Sequence, residues 1–349
     1  MNNNKIKLLL VGGYPPPFGG ITVHLMRLYE YCISKNIDCA GLDISGNGIK
    51  RRNNDSRIYN ILNYKYLRSL RIFNIIHLHV SSFSNAWIIY LIIKFFPKNK
   101  IIITIHSGSF QLNFKKFSQY KKNMISKILN KTFYIIAVNE SQKKIIENYY
   151  NYNQERVCVI PAFINPQIND NLIKNIIRNS PFRKREKVLI TSGYLFEYYG
   201  FEMIIEYLKS HQDISGIFVF YANCDVQYSE RIKGIISKMD NAIYYENLNP
   251  HEFNSLLKKS SIYIRNTDRD GDCVAIREAA YWGLQIIASD AVNRPRGVEL
   301  FSYNKSIEFK KSIDRVLSNP TIGLIEDRED YADQIIEIYK KVLNLENNK

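Results

Sequence analysis

Short apolar runs alternate with segments of helical periodicity along most of the chain. In the first half, runs rich in Ile and Val predict buried strands. These runs are KIKLLLVGG (5–13), IIHLHV (75–80), KIIITIH (100–106), FYIIAVN (133–139) and VCVIPAF (157–163). After the first run, Ile21, Leu25, Leu28 and Cys32 recur at helical spacing and predict an amphipathic helix. Strands that alternate with helices are typical of a parallel sheet.

The alternation stops at a polar, basic segment with two prolines, Asn165–Lys187, and then restarts. The second series of strands is VLITSGY, GIFVFYA, AIYYENL, SIYIRNT and LQIIASD, with helical patterns between them. We therefore predict an α/β protein with two Rossmann-like domains, whose parallel sheets face each other across a cleft. The predicted parts are an amino-terminal domain (1–165), a linker (166–186) with a short helix at 172–177, a second domain (187–328) and an amphipathic helix (329–349) that packs back on the first domain.

Composition narrows the possible partners. The 349 residues suit two domains of ordinary size, and the net charge of +15 favours polyanions such as nucleic acid, nucleotide phosphates or an anionic membrane. No helix-turn-helix, RNP or zinc-finger pattern is present, so nucleic acid is not expected. The five cysteines are scattered without a CxxC pair, which favours a reducing compartment. We expect a cytoplasmic protein, because the amino-terminal apolar run is too short for a signal peptide and 86–96 is too short to span a bilayer.

A glycine-rich loop, GGYPPPFGG (12–20), follows the first strand. Its spacing does not match the GxGxxG dinucleotide fingerprint. Gly19 and Gly20 nevertheless lie at a helix start, where bare N–H groups and the helix dipole favour an anion. We predict that these two glycines approach a phosphate. The simpler interpretation is a stiff connection between strand and helix.

Histidines cluster on two of the predicted strands. His106 lies at the carboxyl end of KIIITIH, where it could bond a substrate hydroxyl or stabilise charge in a transition state, or else cap the strand. His77 and His79 share one strand face and could form a metal cluster with His106. Because no further ligand has persuasive spacing, we expect no metal.

The stretch RNTDRDGDCVAIREAAYWG (265–283) combines a strand end, an acidic loop and a helix. The start of this helix, near Cys273 and Val274, would supply N–H groups for a phosphate, and Glu278 could accept hydrogen bonds from a ribose.

Ordinary structural roles are also open for the acidic residues of this stretch. Asp270 and Asp272 could serve in capping and turns. Glu278 could pair with Arg277 or another base, although its apolar neighbours favour a functional role.

The order and spacing of these motifs resemble the retaining glycosyltransferases of family 4, which have the GT-B fold. The PPxGG loop, HLHVSS, ITIHSG, IIAVNE and VIPAF are similar to landmarks of the family's first domain, and DGDCVAIREAAYWGLQIIASD is similar to its signature in the second. The resemblance implies a nucleotide-sugar donor held mainly by the second domain, an acceptor held mainly by the first, retention of anomeric configuration and no essential metal.

The resemblance also implies roles for individual residues. Glu278 would hold the donor ribose, Asp270 would contact the donor sugar where the family usually has Glu, and His106 would lie beside the reacting sugar. Gly19 and Gly20 would lie near the diphosphate. Further donor-binding candidates are Gly193, Arg265, Asp272, Cys273 and Val274.

The chain departs from the family at its usual phosphate clamp. Tyr194 and Tyr199, in SGYLFEYYG, occupy the positions where the family commonly has Arg and Lys. The charge of the leaving diphosphate still needs stabilisation. Helix N–H groups could supply it, or one of four arginines, Arg265, Arg277, Arg294 and Arg296.

These observations predict a hexosyltransferase that builds surface polysaccharide, such as O antigen or capsule, on a lipid-linked or oligosaccharide acceptor at the inner face of the membrane. Lysines interleaved with aromatic residues in NFKKFSQYKKNMISKILNK (113–131) fit an anionic membrane surface as well as an ordinary solvated helix. Two alternatives are a catalytically weak binding subunit of a partner transferase and a nucleotide-sugar epimerase of the same fold.

Overall fold

The computed structural model describes residues 5–16, 18–45, 57–61, 72–81, 83, 86–96, 98–106, 110–166, 187–270, 273–326 and 329–344. The predicted linker, apart from its first residue, and the predicted short helix at 172–177 lie outside these residues. The chain divides into two compact units. Unit 1 comprises residues 1–164 and 330–349, and unit 2 comprises residues 165–329.

Unit 1 contains a seven-stranded sheet in the order β3-β2-β1-β4-β5-β6-β7, and all its strand pairs are parallel. Its strands are β1 (Lys7–Gly12), β2 (Asp38–Asp43), β3 (Ile58–Asn60), β4 (Ile75–Val80), β5 (Lys100–Ile105), β6 (Tyr134–Ala137) and β7 (Val157–Val159). Its helices are α1 (Gly20–Ser34), α2 (Ala86–Phe95), α3 (Phe110–Lys116), α4 (Gln119–Leu129), α5 (Glu140–Tyr150) and, from the end of the chain, α11 (Ala332–Asn344).

Unit 2 contains a six-stranded parallel sheet in the order β10-β9-β8-β11-β12-β13. Its strands are β8 (Lys187–Leu195), β9 (Ile214–Cys224), β10 (Ala242–Glu246), β11 (Ile262–Arg265), β12 (Gln285–Ser289) and β13 (Glu299–Phe301). Its helices are α6 (Phe201–Ser210), α7 (Val226–Ile236), α8 (Pro250–Leu257), α9 (Val274–Tyr281) and α10 (Ser306–Ser318). The predicted α/β class with two parallel Rossmann-like sheets is confirmed.

Helices cover both faces of the unit 2 sheet, so its central strands are apolar on both sides. One face packs against α6, α7 and α10, through residues such as Phe201, Ile232 and Phe309. The other face packs against α8 and α9, through residues such as Phe253 and Ile276. The continuous apolar runs in the sequence follow from this two-sided burial.

The carboxyl-terminal helix α11 belongs to unit 1. The hydroxyl of Tyr31 on α1 donates to Asp333 at 2.5 Å, and Tyr339 is fully buried against His77 of β4. Within the described ranges, no helix combines the length and the apolar character needed to cross a lipid bilayer.

The strand order places a switch point near the middle of each sheet. In unit 1 it lies between β1 and β4, and in unit 2 between β8 and β11. Ligands of open α/β sheets bind at the carboxyl ends of the strands beside such points. The loop after β1, His79 near the end of β4 and Arg265 at the end of β11 all lie at these edges.

Candidate functional site

Two buried arginines hold Asp270 beside the end of β11. Arg265 donates from Nε (2.8 Å) and Nη2 (2.5 Å) to the two carboxylate oxygens of Asp270. Arg294 donates from Nη1 to the same carboxylate at 2.7 Å. The side chains of Arg265, Arg294 and Asp270 are only 10%, 2% and 8% exposed. We call these three residues the arginine pair assembly.

The backbone fixes the orientation of both arginines. Arg265 Nη1 donates to the carbonyl of Ser192 at 2.6 Å, which ties the end of β11 to β8. Arg294 donates to the carbonyls of Ser289 (3.1 Å) and Thr267 (3.2 Å). The assembly is therefore built into the fold by strands that meet at the switch point of unit 2.

The charges of the assembly are strongly coupled. Burial alone would raise the pKa of Asp270, but Arg265 and Arg294 lower it to about 2. Burial would likewise lower the pKa of Arg265, and the Asp270 carboxylate raises it well above its usual value instead. Arg265 and Asp270 are therefore both ionised at neutral pH. With two guanidinium groups and one carboxylate, the assembly has a formal net charge of one positive unit.

The aromatic ring of Tyr199 packs against the guanidinium group of Arg265. The guanidinium of Arg265 lies 4.9 Å from the centre of the Tyr199 ring, at cation–π distance. The same ring packs on the bare backbone of Gly193, where a Cβ atom would overlap it. Gly193 is thus needed for the close approach of Tyr199. Tyr199, at a position where the resemblance would place a cation, thus packs against the cation Arg265.

Glu278 is buried on α9, with 4% of its surface exposed. Its Oε1 accepts a hydrogen bond of 2.7 Å from Asn254 Nδ2 on α8. Asn254 in turn accepts from Trp282 Nε1 at 2.9 Å. The side-chain amide of Asn254 thus holds the carboxyl group of Glu278 in place.

Helix α9 begins at Val274, with Cys273 as its N-cap residue and no side-chain cap. The carbonyl of Cys273 accepts from the N–H groups of Ile276 and Arg277. The helix starts close to the arginine pair assembly, whose three charged groups all act on the pKa of the Cys273 thiol. The use of its first N–H groups for a phosphate stays a prediction. Asp272 lies outside the described residues.

The proline-rich loop of unit 1 is anchored at its start. Tyr14 is buried, its backbone N–H donates to Asp43 at 3.3 Å and its hydroxyl donates to the carbonyl of Leu10 at 3.3 Å. At the other end of the loop, the N–H of Gly19 donates to the hydroxyl of Thr22 at 2.9 Å. Gly20, the first residue of α1, is exposed. Of the two glycines, Gly20 therefore presents the more accessible backbone.

The two histidines of β4 have different surroundings. His77 is satisfied on both sides, since Nδ1 pairs with the Tyr339 hydroxyl at 2.6 Å and Nε2 with the Thr104 hydroxyl at 2.7 Å. His79 instead pairs with His106, from Nδ1 to Nε2, at 3.0 Å. The His77 ring centre lies 4.1 Å from that of His79, but His77 bonds to the two hydroxyls while His79 bonds to His106.

A third histidine completes this group from α1. The His24 ring centre lies 4.8 Å from that of His106 and 5.4 Å from that of His79. Burial lowers the pKa of His24 to about 4 and holds those of His79 and His106 well below their usual value. All three imidazoles are therefore neutral at pH 7. We call them the histidine cluster.

Comparison with known proteins agrees with this architecture. The model of "Glycosyltransferase Family 4" matches residues 18–168. The chain has the GT-B fold, and the stretch that matches the family 4 model lies mostly in its first unit. The resemblance inferred from the sequence motifs is confirmed. No curated protein matches the sequence.

Several solved GT-B structures are similar over the whole length. A glycosyltransferase from Rickettsia africae has a TM-score of 0.70 at 16% identity and covers 97% of this chain and 99% of its own. HepE of Anabaena, in complex with UDP-glucose, has a TM-score of 0.71 at 12% identity, and the match covers 98% of this chain and 100% of HepE. A putative UDP-N-acetylglucosamine 2-epimerase from Listeria monocytogenes has a TM-score of 0.65 at 14% identity, covering 97% of each chain. At such low identity these similarities establish the fold alone.

Within this GT-B fold, the sequence indicated several site residues but missed their partners. Arg294 was one of four candidate cations, yet its contact with Asp270 was not foreseen. Asn254 was not considered as the partner of Glu278, and His24 was overlooked. His24 did leave a signal, because it lies three residues after Ile21 and four before Leu28, on the apolar stripe of α1.

Proposed function

We propose that this GT-B protein transfers a sugar from a nucleotide-sugar donor to a saccharide acceptor, with retention of the anomeric configuration. The observation that carries the proposal is the arginine pair assembly beside the N-terminus of α9. A leaving diphosphate develops negative charge, and preorganised cations and helix N–H groups stabilise such charge. The assembly would supply the cations and the first turn of α9 the N–H groups, both near the switch point of unit 2.

Arg265 is the residue through which this charge would act. Guanidinium has five N–H donors. The described bonds of Arg265, two to Asp270 and one to Ser192, leave donors for an oxyanion. Its contact with the Tyr199 ring helps to keep the planar group fixed. Arg294 and Asp270 act in this proposal by positioning Arg265.

The donor nucleoside would lie against Glu278. A buried carboxylate held by a neutral amide can accept both hydroxyls of a ribose, and hydrogen bonds to charged groups are worth about 1.5–3 kcal/mol. HepE, which was solved with UDP-glucose, supports the choice of a nucleotide-sugar as donor. On the acceptor side, we retain His106 as the candidate beside the reacting sugar, and Asp270 stays a candidate contact to that sugar.

A lipid-linked acceptor fits the surface of unit 1. Helix α2 exposes Trp87 (59%) and Leu91 (54%), and it packs against the lysine-rich helix α4, where Tyr120 is 76% exposed. Exposed apolar side chains beside lysines are typical of segments that rest on anionic lipid. We therefore place the enzyme at a membrane surface, in the assembly of a surface polysaccharide.

The membrane part of the proposal has a direct test. Sedimentation with vesicles of anionic and of neutral phospholipid should show binding to the anionic vesicles, reduced by Trp87→Ser with Leu91→Ser. Leu300→Ser with Ile307→Ser removes exposed apolar side chains from unit 2 and should leave binding unchanged. Equal binding by both double variants would refute the assignment of this surface.

The activity is tested by a screen of nucleotide-sugar donors, followed by product analysis with oligosaccharide and lipid-linked acceptors. With the donor that is turned over, Arg265→Gln should lower kcat by about 100-fold, the magnitude typical for loss of one oxyanion-stabilising donor. The control Arg231→Gln removes an exposed arginine that pairs with Glu202 and should not change kcat. Conversion of a donor without any acceptor would establish an epimerase instead, and lack of binding to every donor would favour a binding subunit.

A further inference from the structure

The histidine cluster brings together three imidazoles from three separate elements of unit 1. His24 lies on α1, His79 near the end of β4, and His106 immediately after β5. One ring nitrogen of each lies within 4.8 Å of those of the other two. Gly12 on β1 permits this approach, because a Cβ atom there would lie 3.3 Å from the Cβ of His79 and 2.8 Å from Leu25. The fold thus leaves room for the ring of His79 beside α1.

The buried nitrogens of the cluster are incompletely satisfied. Among the residues that the structure describes, neither ring nitrogen of His24 nor Nε2 of His79 has a hydrogen-bond partner. The backbone of Ala162 lies near enough to favour the charged form of His24, without a hydrogen bond of normal geometry. Leaving a buried polar group unpaired costs about 1–3 kcal/mol. A ligand on one nitrogen of His24 would remove part of that cost.

His77, on the same strand as His79, has hydrogen-bond partners for both ring nitrogens. Both of its nitrogens bond to neutral hydroxyls, those of Tyr339 and Thr104, at 2.6 and 2.7 Å. It needs no further partner. Among the described residues, the unsatisfied imidazole nitrogens belong to His24 and His79, which both lie beside His106.

The donor set determines the chemical class of the ligand. Neutral imidazole nitrogens suit Zn²⁺ and neighbouring transition metals, whereas Mg²⁺ and Ca²⁺ prefer oxygen. Zinc–nitrogen bonds of about 2.0–2.1 Å in a tetrahedron place two ligand nitrogens about 3.3 Å apart. The separation of 3.0 Å between His79 Nδ1 and His106 Nε2 is close to that value.

We propose that unit 1 binds a divalent transition-metal ion of the zinc class through His24, His79 and His106. Three histidines leave a fourth position of the tetrahedron open for water or a ligand oxygen. The site uses no residue of unit 2, so metal binding can be tested separately from donor binding there, although His106 is also the candidate residue beside the reacting sugar. It goes beyond the proposed transfer, which draws its charge stabilisation from Arg265.

Cobalt is the probe of choice, because four-coordinate Co²⁺ absorbs visibly and occupies zinc sites. The full chain, free of any polyhistidine tag and treated with chelator, is titrated with Co²⁺ and then with Zn²⁺. We expect the band of tetrahedral Co²⁺ to saturate at one equivalent and to disappear when Zn²⁺ displaces it. A chain that develops no such band at millimolar Co²⁺ would overturn the proposal.

Variants decide whether the cluster is the site. His106→Ala, at a partly buried strand end, and His24→Gln should each weaken Co²⁺ binding by at least about 100-fold, since outer-shell changes alone cost 10–100-fold. His251→Gln removes an imidazole from unit 2 and should bind as the wild type does. Circular dichroism establishes whether each variant is folded. If His24→Gln does not fold, His106→Ala decides the question alone. Equal affinity of the wild type and folded His106→Ala would overturn the assignment.

Discussion

Replacing Asp270 with asparagine removes the negative charge between two buried arginines while it preserves the size of the side chain. In the folded protein the pKa of Asp270 is lowered from 3.8 to about 2. Each unit of pKa corresponds to about 1.4 kcal/mol, so the ionised form contributes about 2 kcal/mol to the free energy of unfolding. Breaking a buried ion pair by removing one partner typically costs about 3–5 kcal/mol. We therefore expect Asp270→Asn to lower the stability of unit 2 by about 2–5 kcal/mol at pH 7.

The pH dependence of this loss has a definite sign. Because the pKa of Asp270 is depressed in the folded state, its contribution is complete above the unfolded value near 4 and is lost as pH falls towards 2. The difference between wild type and Asp270→Asn should be constant from pH 7 to about 5 and should shrink below pH 4.

Urea unfolding followed by tryptophan fluorescence measures the effect. The chain has two tryptophans, Trp87 in unit 1 and Trp282 in unit 2, so a Trp87→Phe background makes the signal specific for unit 2. Asp268→Asn is the control, because Asp268 pairs with Arg269 at the surface and such pairs contribute about 0–1 kcal/mol. If Asp270→Asn were as stable as Asp268→Asn, or if its deficit did not change with pH, the account of the assembly would be refuted.

Three further predictions concern other parts of the chain. Gly193→Ala should displace the Tyr199 ring and lower donor turnover more than it lowers the urea midpoint, because the ring supports the cation of the site; equal losses would make Gly193 purely structural. Glu278→Gln keeps an acceptor for the buried amide but loses the charge, so donor affinity should fall by about 10–100-fold in a calorimetric titration, and unchanged affinity would remove Glu278 from the ribose site. Tyr339→Phe should cost about 1–3 kcal/mol of stability in unit 1 by leaving His77 Nδ1 unpaired, and a variant of wild-type stability in urea would contradict that bond.

The sequence was most informative where strands are buried on both sides. Runs such as IIHLHV and KIIITIH coincide with β4 and β5, because complete burial demands continuous apolar residues. The strands β2, β3 and β13 were not predicted. In β2, DCAGLD has an aspartate at each end and a glycine inside, and in β13 the central Leu300 is 47% exposed. Such strands depend on their neighbours in the sheet more than on their own pattern.

The candidate site shows the same limit at the level of single residues. Asp270 and Glu278 were identified from the local pattern of loop and helix. Their partners, Arg294 and Asn254, lie 24 residues away in each case, a separation with no local periodicity. Contacts of this kind depend on the order of strands and helices in the sheet. The sequence pattern predicts the fold class but not which side chains this order brings together.

The central claim is that the arginine pair assembly recognises the diphosphate of the donor. It is tested most directly by calorimetric titration of wild type and Arg265→Gln with the preferred nucleoside diphosphate and with the corresponding nucleoside. The account predicts that the wild type prefers the diphosphate and that Arg265→Gln loses about 10–100-fold of that preference while nucleoside affinity is unchanged. An undiminished preference in Arg265→Gln would contradict the claim.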